Sequence, residues 1–386
     1  ENIAALLYPS IGAPSEVARV TETLRALAAD PETGLADDPD AGGYTFMSAG
    51  IRPLIKRRDD YVAPDEEVES MRLAILKEVF TDRPSTRLLA TKTVNAEVIL
   101  GERRPITGST ETIRFQVEFV TEGAITNRRD TLLAETVSPG GAWSTRVAWL
   151  CRADATVDDA LRQAVRFNWS ASGNAGSNDP SVQQFVRTER RMADGSRREA
   201  RRAVERALMD GTFIFAGNPI PASSASGATD PNPAVAASAC LRQVAESIYT
   251  HYHLANVAGE TELAAKFLNL PDLSRTSPDR DPLGFATRGA GGAWQIDATN
   301  KTLDEARRAF DRLTGRLGQM QLNGSTVLDF FANPPYGWSK DVTRYVFAAI
   351  FRAGHIRLHT QAGVVTTVGP VAIDAFRTTQ SFNKAT

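Results

Sequence analysis

The segment PPYGWSKD, which begins at Pro334, restricts the fold of this chain more than any other stretch. Proline lacks an amide donor and disfavours helical geometry in the residue before it, so Pro334 and Pro335 end any helix that precedes them. Gly337 permits a tight bend between Tyr336 and Trp338. We therefore predict a sharp aromatic turn in which both large rings are buried and structural.

A helix and a hairpin are predicted to follow this turn. Ser339 is placed to cap the helix, and apolar residues recur at helical spacing from Val342 to Ala353. Gly354 ends the helix, and the residues on either side of Gly363 have the pattern of a β-hairpin. A helix, an aromatic turn, a second helix and a hairpin together indicate a winged helix, which is typical of docking onto a duplex or another protein.

The string PPYGWSKD, followed by an amphipathic helix and the sequence AGHIRL, resembles the large P-loop proteins of bacteriophage-exclusion (BREX) islands, the BrxC/PglY family. Two further stretches are similar in register, one from Gly34 to Ser48 and one from Arg146 to Trp169. The resemblance implies that the chain is a fragment lying C-terminal to the ATPase core of a much longer protein. It also implies that the parent ATPase module or other BREX components are partners.

Composition sets only broad limits. The chain has 386 residues and a formal net charge of −2, so any nucleic-acid site must be a local patch. The two cysteines, Cys151 and Cys240, argue against a disulfide framework. No window approaches the run of about 18 apolar residues that a membrane span needs. We therefore expect a cytoplasmic protein without a membrane partner.

Residues 88–150 show a period of two, which is typical of strands. Ile113, Phe115 and Val117 alternate with polar residues, as in a strand with one wet face. We predict three or four antiparallel strands and then a helix over 157–169. The predicted fold class is α+β and multi-domain, with winged-helix-like units flanking a small antiparallel sheet with helices.

Two loose stretches rich in Pro, Gly and Ser, at 171–180 and 217–233, indicate where the domains divide. The predicted units follow in chain order. They are a winged-helix-like segment at 1–62, an α+β domain with an antiparallel sheet at 63–170, an arginine-rich helical segment with a short strand at 181–216, and a helical domain at 234–386 that ends in the winged helix.

The residues do not predict catalysis. Gly284 and Gly289 have the spacing of the P-loop glycines, but Ala290 and Gly291 stand where the motif needs lysine and serine or threonine. We therefore expect no ATP hydrolysis by this chain, although the family that it resembles consists of ATPases. The four histidines and two cysteines show no convergent partners for a metal ion or a nucleophile. No catalytic residue, metal ligand or cofactor is predicted.

Two groups of basic residues are candidates for contacts with the backbone phosphates of double-stranded DNA. The group in the predicted winged helix consists of Lys340, Arg344, Arg352 and Arg357. The second group lies between positions 187 and 206, where eight arginines outnumber four acidic residues; Arg197 and Arg201 represent it. A face used for protein interaction and a plain salt-bridged surface are alternatives for this second group.

Together with the resemblance, these features predict a non-catalytic scaffold or interaction region of a BrxC/PglY-like exclusion ATPase. Such a region would contact DNA or other defence components. A freestanding winged-helix transcriptional regulator is the alternative, in which the helix after the aromatic turn reads a DNA site.

Overall fold

A mixed β-sheet organises the middle of the chain. The computed structural model describes residues 15–30, 33, 35–38, 42–46, 50–108, 111–137, 141–153, 155–226, 232–318, 321–361 and 363–385. The strands are β1 Leu35–Asp38, β2 Gly43–Phe46, β3 Ser85–Leu88, β4 Lys92–Leu100, β5 Arg104–Pro105, β6 Ile113–Thr121, β7 Arg146–Ala153, β8 Thr212–Phe215, β9 Asn218–Pro221, β10 Ala286–Arg288, β11 Trp294–Ile296, β12 Leu358–Thr360 and β13 Gly363–Val365. The α-helices are α1 Val17–Ala29, α2 Arg52–Asp59, α3 Asp65–Val79, α4 Glu122–Thr136, α5 Ala155–Gly173, α6 Pro180–Met209, α7 Ala222–Ser226, α8 Pro233–Ile248, α9 Leu263–Leu268, α10 Lys301–Leu317, α11 Gly324–Ala332, α12 Lys340–Arg352, α13 Pro370–Arg377 and α14 Thr379–Asn383.

The sheet is mixed rather than antiparallel. Its strand order is β3-β4-β6-β7-β8-β9, with β5 paired to β4. The strands β4, β6 and β7 are parallel, and the outer pairs are antiparallel. The predicted antiparallel sheet is wrong because α4 connects β6 to β7 as a crossover. Only Leu132 and Thr136 of α4 are buried, so its apolar pattern does not reveal a helix. The predicted class, α+β, is confirmed.

The two faces of β6 differ, as the alternation predicts. Phe115 and Val117 lie in a core to which α3, α6 and α8 contribute. The opposite face carries Glu118, which accepts hydrogen bonds at 2.7 and 2.8 Å from Arg128 of α4. On this side, among the described residues, α4 alone packs over β6, β7 and β8, whereas three helices contribute to the core on the other side, so the sheet is covered unequally.

The N-terminal segment contains a hairpin, in which Leu35 of β1 lies opposite Phe46 of β2. Residues 1–14, which begin the first predicted unit, lie outside the described residues. After the hairpin, α2 packs through Ile55 on Phe185 of α6. This contact attaches the N-terminal segment to the longest helix of the chain.

The arginine-rich segment belongs to the α+β unit and is not a separate one. The stretch at 171–180, predicted as a loose linker, contains the end of α5 and a short connection at 174–179 that leads into α6, and the two helices pack along each other. After α6 the chain adds β8 to the sheet beside β7. The boundary predicted before α6 is wrong because both α6 and β8 complete the core of the preceding unit. Of the second loose stretch, 227–231 lie outside the described residues.

Helices predominate from α8 onward, as expected for residues 234–386. The central element is α12, in which ten consecutive residues from Val342 to Phe351 are buried. The helices α9, α10, α11, α13 and α14 all contact it. β12 and β13 form the predicted hairpin, with Leu358 opposite Val365.

The aromatic turn connects the helical part to the sheet. Lys92 of β4 donates a hydrogen bond to the carbonyl of Gly337 at 2.8 Å, and its ammonium lies 5.3 Å from the centre of the Tyr249 ring. The buried residues of the two parts belong to one continuous core. Within the described part of the chain, no helix is long and apolar enough to cross a lipid bilayer.

Candidate nucleic-acid interface

The helix predicted to enter a DNA groove is buried. Ser339 caps α12 as expected, accepting a hydrogen bond from the Val342 amide at 3.2 Å. A helix and a hairpin thus follow the aromatic turn in the predicted order. A recognition helix, however, must expose one face to the duplex. The buried run of α12 leaves no such face, so the predicted role of this helix in DNA recognition is not supported.

Arg344 is an internal structural residue and not a phosphate contact. Its side chain has no exposed area. The guanidinium donates to the carbonyls of Phe376 at 2.6 Å, Arg377 at 2.7 Å and Thr261 at 2.9 Å, and it pairs with Asp341. The prediction that Arg344 is available to phosphates is wrong because α13 and Thr261, which lies before α9, cover the side of α12 that carries it.

The other three candidates of this group differ in their access to solvent. Arg352 is half-buried and donates to the carbonyls of Phe267 at 2.9 Å and Leu270 at 2.8 Å. Lys340 is exposed and lies 3.8 Å from the carboxylate of Asp329. Arg357 is exposed. These residues do not form a continuous basic face on the helix, because α12 turns most of its length inward.

The arginine-rich helix α6 begins and packs as its sequence dictates. Pro180 occupies its first turn, and the carboxylate of Asp179 accepts a hydrogen bond from the Ser181 amide at 2.8 Å. Small and apolar residues, including Ala200 and Val204, form a stripe that is buried against the neighbouring elements. The opposite side of the helix faces solvent.

Four arginines define this outward side, which we call the arginine face: Arg187, Arg191, Arg198 and Arg202. At 3.6 residues per turn they lie within about 60° of one another around the helix axis, directly opposite the buried stripe. With a rise of 1.5 Å per residue they extend over about 22 Å. All four are exposed, and the guanidinium groups of Arg198 and Arg202 have no hydrogen-bond or ion-pair partner among the described residues.

The predicted residues Arg197 and Arg201 lie on the flank of α6. Arg197 pairs with Glu78 of α3 and contacts the sulfur of Met71. Arg201 donates to Glu205 at 2.9 Å. Both charges are therefore compensated by carboxylates. The prediction identified the helix, but it did not single out the neighbouring Arg198 and Arg202, whose guanidinium groups have no partner in the part of the chain that the structure describes.

Helix α2 adds further positive charge beside α6. Arg58 of α2 donates to the buried carboxylate of Glu189 in α6 at 2.9 Å, which fixes the two helices together. Three other basic residues of α2 are exposed, namely Arg52, Lys56 and Arg57. Between positions 187 and 206 of α6 the local net charge is +4, eight arginines against four acidic residues. The neutral chain thus contains a local basic surface.

The aromatic turn has the buried geometry that the sequence suggested. Tyr336 and Trp338 are both 1% exposed. The Trp338 ring stacks on Phe331 with 5.0 Å between centroids, and its indole N–H donates to the carbonyl of His251 at 3.1 Å. The Tyr336 hydroxyl donates to Glu305 at 2.7 Å. These contacts hold the two aromatic residues inside the fold rather than at a binding surface.

The hydroxyl of Tyr336 gives a testable pH dependence. Burial, and then the carboxylate of Glu305, raise the pKa of Tyr336 to about 12, whereas an unfolded tyrosine has a pKa of about 10. Between these values the folded chain keeps a proton that the unfolded chain loses, so the free energy of unfolding falls as the pH rises through this window. We expect urea unfolding between pH 9 and 11.5 to show a shallower fall for Tyr336→Phe than for the unmodified chain. Equal slopes would contradict the assignment.

Among the described residues, the cysteines and glycines considered for catalysis have no catalytic setting. Burial raises the pKa of the thiols of Cys151 and Cys240, which disfavours the nucleophilic thiolate. In the part of the chain that the structure describes, no three His, Cys, Asp or Glu side chains group as a metal ion requires. Gly284 lies before β10 and Gly289 directly after it, so these glycines belong to a hairpin. A P-loop, by contrast, leads into a helix.

Comparisons of the chain with protein-family models, with curated proteins and with solved structures found no match.

Proposed function

We propose that this chain is a non-catalytic interaction region that docks nucleic acid on the arginine face of α6. The observation that carries the proposal is the alignment of Arg187, Arg191, Arg198 and Arg202 opposite the buried stripe of the helix. Guanidinium groups bind phosphate oxygens in bidentate geometry, and a row about 22 Å long spans several phosphates of a strand.

The similarity of the PPYGWSKD segment to the BrxC/PglY family supports a place for this region within a phage-exclusion ATPase. In that setting the region would link the ATPase module to nucleic acid or to other defence components. The freestanding regulator is less well supported, because its reading of DNA depends on a helix that is buried in this fold. Phosphate contacts alone carry little sequence information, so we expect binding without strong sequence preference.

The double variant Arg198→Ser/Arg202→Ser tests the arginine face. Each phosphate contact contributes roughly 0.7 to the slope of log affinity against log salt for a single strand and roughly 0.9 for a duplex. Losing two contacts should flatten the slope by about 1.4 or 1.8, respectively. The measurement is fluorescence anisotropy of labelled 20-nucleotide and 20-base-pair DNA over a series of salt concentrations.

The matched control is Arg197→Ser/Arg201→Ser, which removes the same charge from the same helix but from residues already paired with Glu78 and Glu205. We expect the slope of this control to remain close to that of the unmodified chain. The variant Arg198→Ser/Arg202→Ser should unfold at nearly the same urea concentration as the unmodified chain, because substitutions at exposed positions change stability by about 0.5 kcal/mol or less. Equal slopes for all three proteins would contradict the proposal. An acidic protein partner is then the competing explanation of the arginine face.

A further inference from the structure

A crevice in the helical part of the chain contains an unusual tryptophan. Trp294 lies on the β10–β11 hairpin, whose turn is closed by a hydrogen bond of 2.9 Å from the amide of Gly292 to the carbonyl of Gly289. The crevice has a volume of about 470 Å³ and lies between β11, the start of α10 and the end of α12. Cavities of roughly 300 to 1,000 Å³ hold small ligands in proteins.

Trp294 has a ring face without a partner. The other four tryptophans each contact a ring or a guanidinium: Trp143 contacts Arg146, Trp149 contacts Phe213, Trp169 contacts Tyr61, and Trp338 contacts Phe331. Trp294 makes no such contact with any described residue, and it is 40% exposed. A flat indole at the wall of a crevice can stack on a planar ligand.

The crevice offers a cation that is available to a ligand. Arg307 lines it, and the only contact of its guanidinium among the described residues is a long one, 3.5 Å from Nε2 of His355. The guanidinium of Arg352 is occupied by the backbone carbonyls of Phe267 and Leu270. Arg307 is therefore the cation best able to meet an anion that enters beside Trp294.

The two carboxylates of the crevice are already engaged. Asp297 accepts hydrogen bonds from the amide and the hydroxyl of Thr299 at 2.8 and 2.7 Å. Asp304 pairs with Arg308 at 2.9 Å. Their repulsion of an anion is reduced by these partners, so a ligand with a planar ring and a negative group fits the lining best.

We infer that this crevice takes an unpaired nucleobase, which stacks on Trp294 while its phosphate meets Arg307. The inference rests on the proposed function for the nature of the ligand, and it deepens that function by specifying single-stranded nucleic acid. In a duplex both faces of each base are stacked on neighbouring bases, so only an unpaired base or a strand end can enter a crevice. Aromatic side chains beside cationic residues are the usual means of binding single strands.

The test uses the octanucleotide dT8 and an eight-base-pair duplex as probes, with binding followed by tryptophan fluorescence and by anisotropy. We expect dT8 to quench the fluorescence of the unmodified chain. Trp294→Ala should weaken dT8 binding about tenfold, the size expected for loss of one base stack. Trp294→Phe keeps an aromatic face and should restore most of the affinity without the quenching. Duplex affinity should not change in either variant.

The outcomes separate this inference from the arginine face. If Trp294→Ala binds dT8 as tightly as the unmodified chain, the crevice inference is overturned and the proposal for α6 is unaffected. If Arg198→Ser/Arg202→Ser still binds dT8 with undiminished quenching and an unchanged salt slope, the crevice is supported and the arginine face is not. If the unmodified chain binds neither probe at low salt, both are overturned.

Discussion

Replacing Arg344 by methionine is expected to lower the free energy of unfolding by about 3–5 kcal/mol. The buried guanidinium donates to the last carbonyls of α13, at Phe376 and Arg377, and to the carbonyl of Thr261 before α9. Carbonyls in the last turn of a helix have no partner within that helix. Methionine keeps an unbranched apolar side chain but has no donor, so these carbonyls and the carboxylate of Asp341 would be left unsatisfied inside the protein.

Urea unfolding followed by circular dichroism measures this effect, and Arg357→Met is the matched control. Arg357 is exposed, and its replacement should change the free energy of unfolding by about 0.5 kcal/mol or less. If Arg344→Met unfolds at the same urea concentration as the control, the hydrogen bonds assigned to Arg344 do not stabilise the fold. A loss of DNA binding by an Arg344 variant would not identify a phosphate contact, because the fold itself would be weakened.

Trp338→Ala is expected to cost about 3–5 kcal/mol of stability, the range for truncation of a buried aromatic residue. The substitution removes the stacking on Phe331, an edge contact with Tyr336 at 5.2 Å between centroids, and the hydrogen bond to His251. Because the turn also accepts the hydrogen bond from Lys92, the cavity would lie where the helical part meets the sheet.

Trp294→Ala is the control for this second prediction, since it truncates the same residue type at an exposed position. Its urea midpoint should remain near that of the unmodified chain. If the unfolding curve of Trp338→Ala is also unchanged while binding to a partner is lost, the aromatic turn is an interface rather than part of the core.

Local structure was predictable wherever a single residue type determines it. Ser339 caps α12 and Gly363 begins the second strand of the last hairpin, as their types and positions indicate. The alternating pattern of β6 predicted a strand with two unlike faces. Each of these signals involves residues a few positions apart, so no knowledge of the tertiary fold was needed.

The pairing of the strands was not predictable, because it depends on α4. Most of this helix faces solvent, and a helix with two buried residues has no clear apolar stripe. Without this helix, β6 and β7 were predicted as antiparallel strands, although they are parallel. The boundary predicted between α5 and α6 was wrong for a similar reason. A turn rich in small polar residues joins two helices there, and only the tertiary fold shows that both helices belong to one core.

The candidate site was predictable only as far as its helix. Arginine density identified α6, but the choice between Arg197 and Arg198 depends on where α3 places Glu78, which is a tertiary fact. The prediction for Arg344 was also wrong for a tertiary reason. Charge is a poor guide to exposure when neighbouring helices supply carbonyl partners for a buried guanidinium. For Trp294 a signal existed: it follows the turn that contains Gly289 and Gly292, a position that places an aromatic residue on a hairpin.

The salt dependence of single-stranded DNA binding by the unmodified chain tests the central claim most directly. If all four residues of the arginine face contact phosphates, log affinity should fall against log salt with a slope of about −3, because each contact contributes roughly −0.7. Anisotropy of a labelled 20-nucleotide strand between 20 and about 200 mM salt would provide this slope. No binding at the lowest salt concentration, or an affinity that does not change with salt, would contradict nucleic-acid docking by this protein.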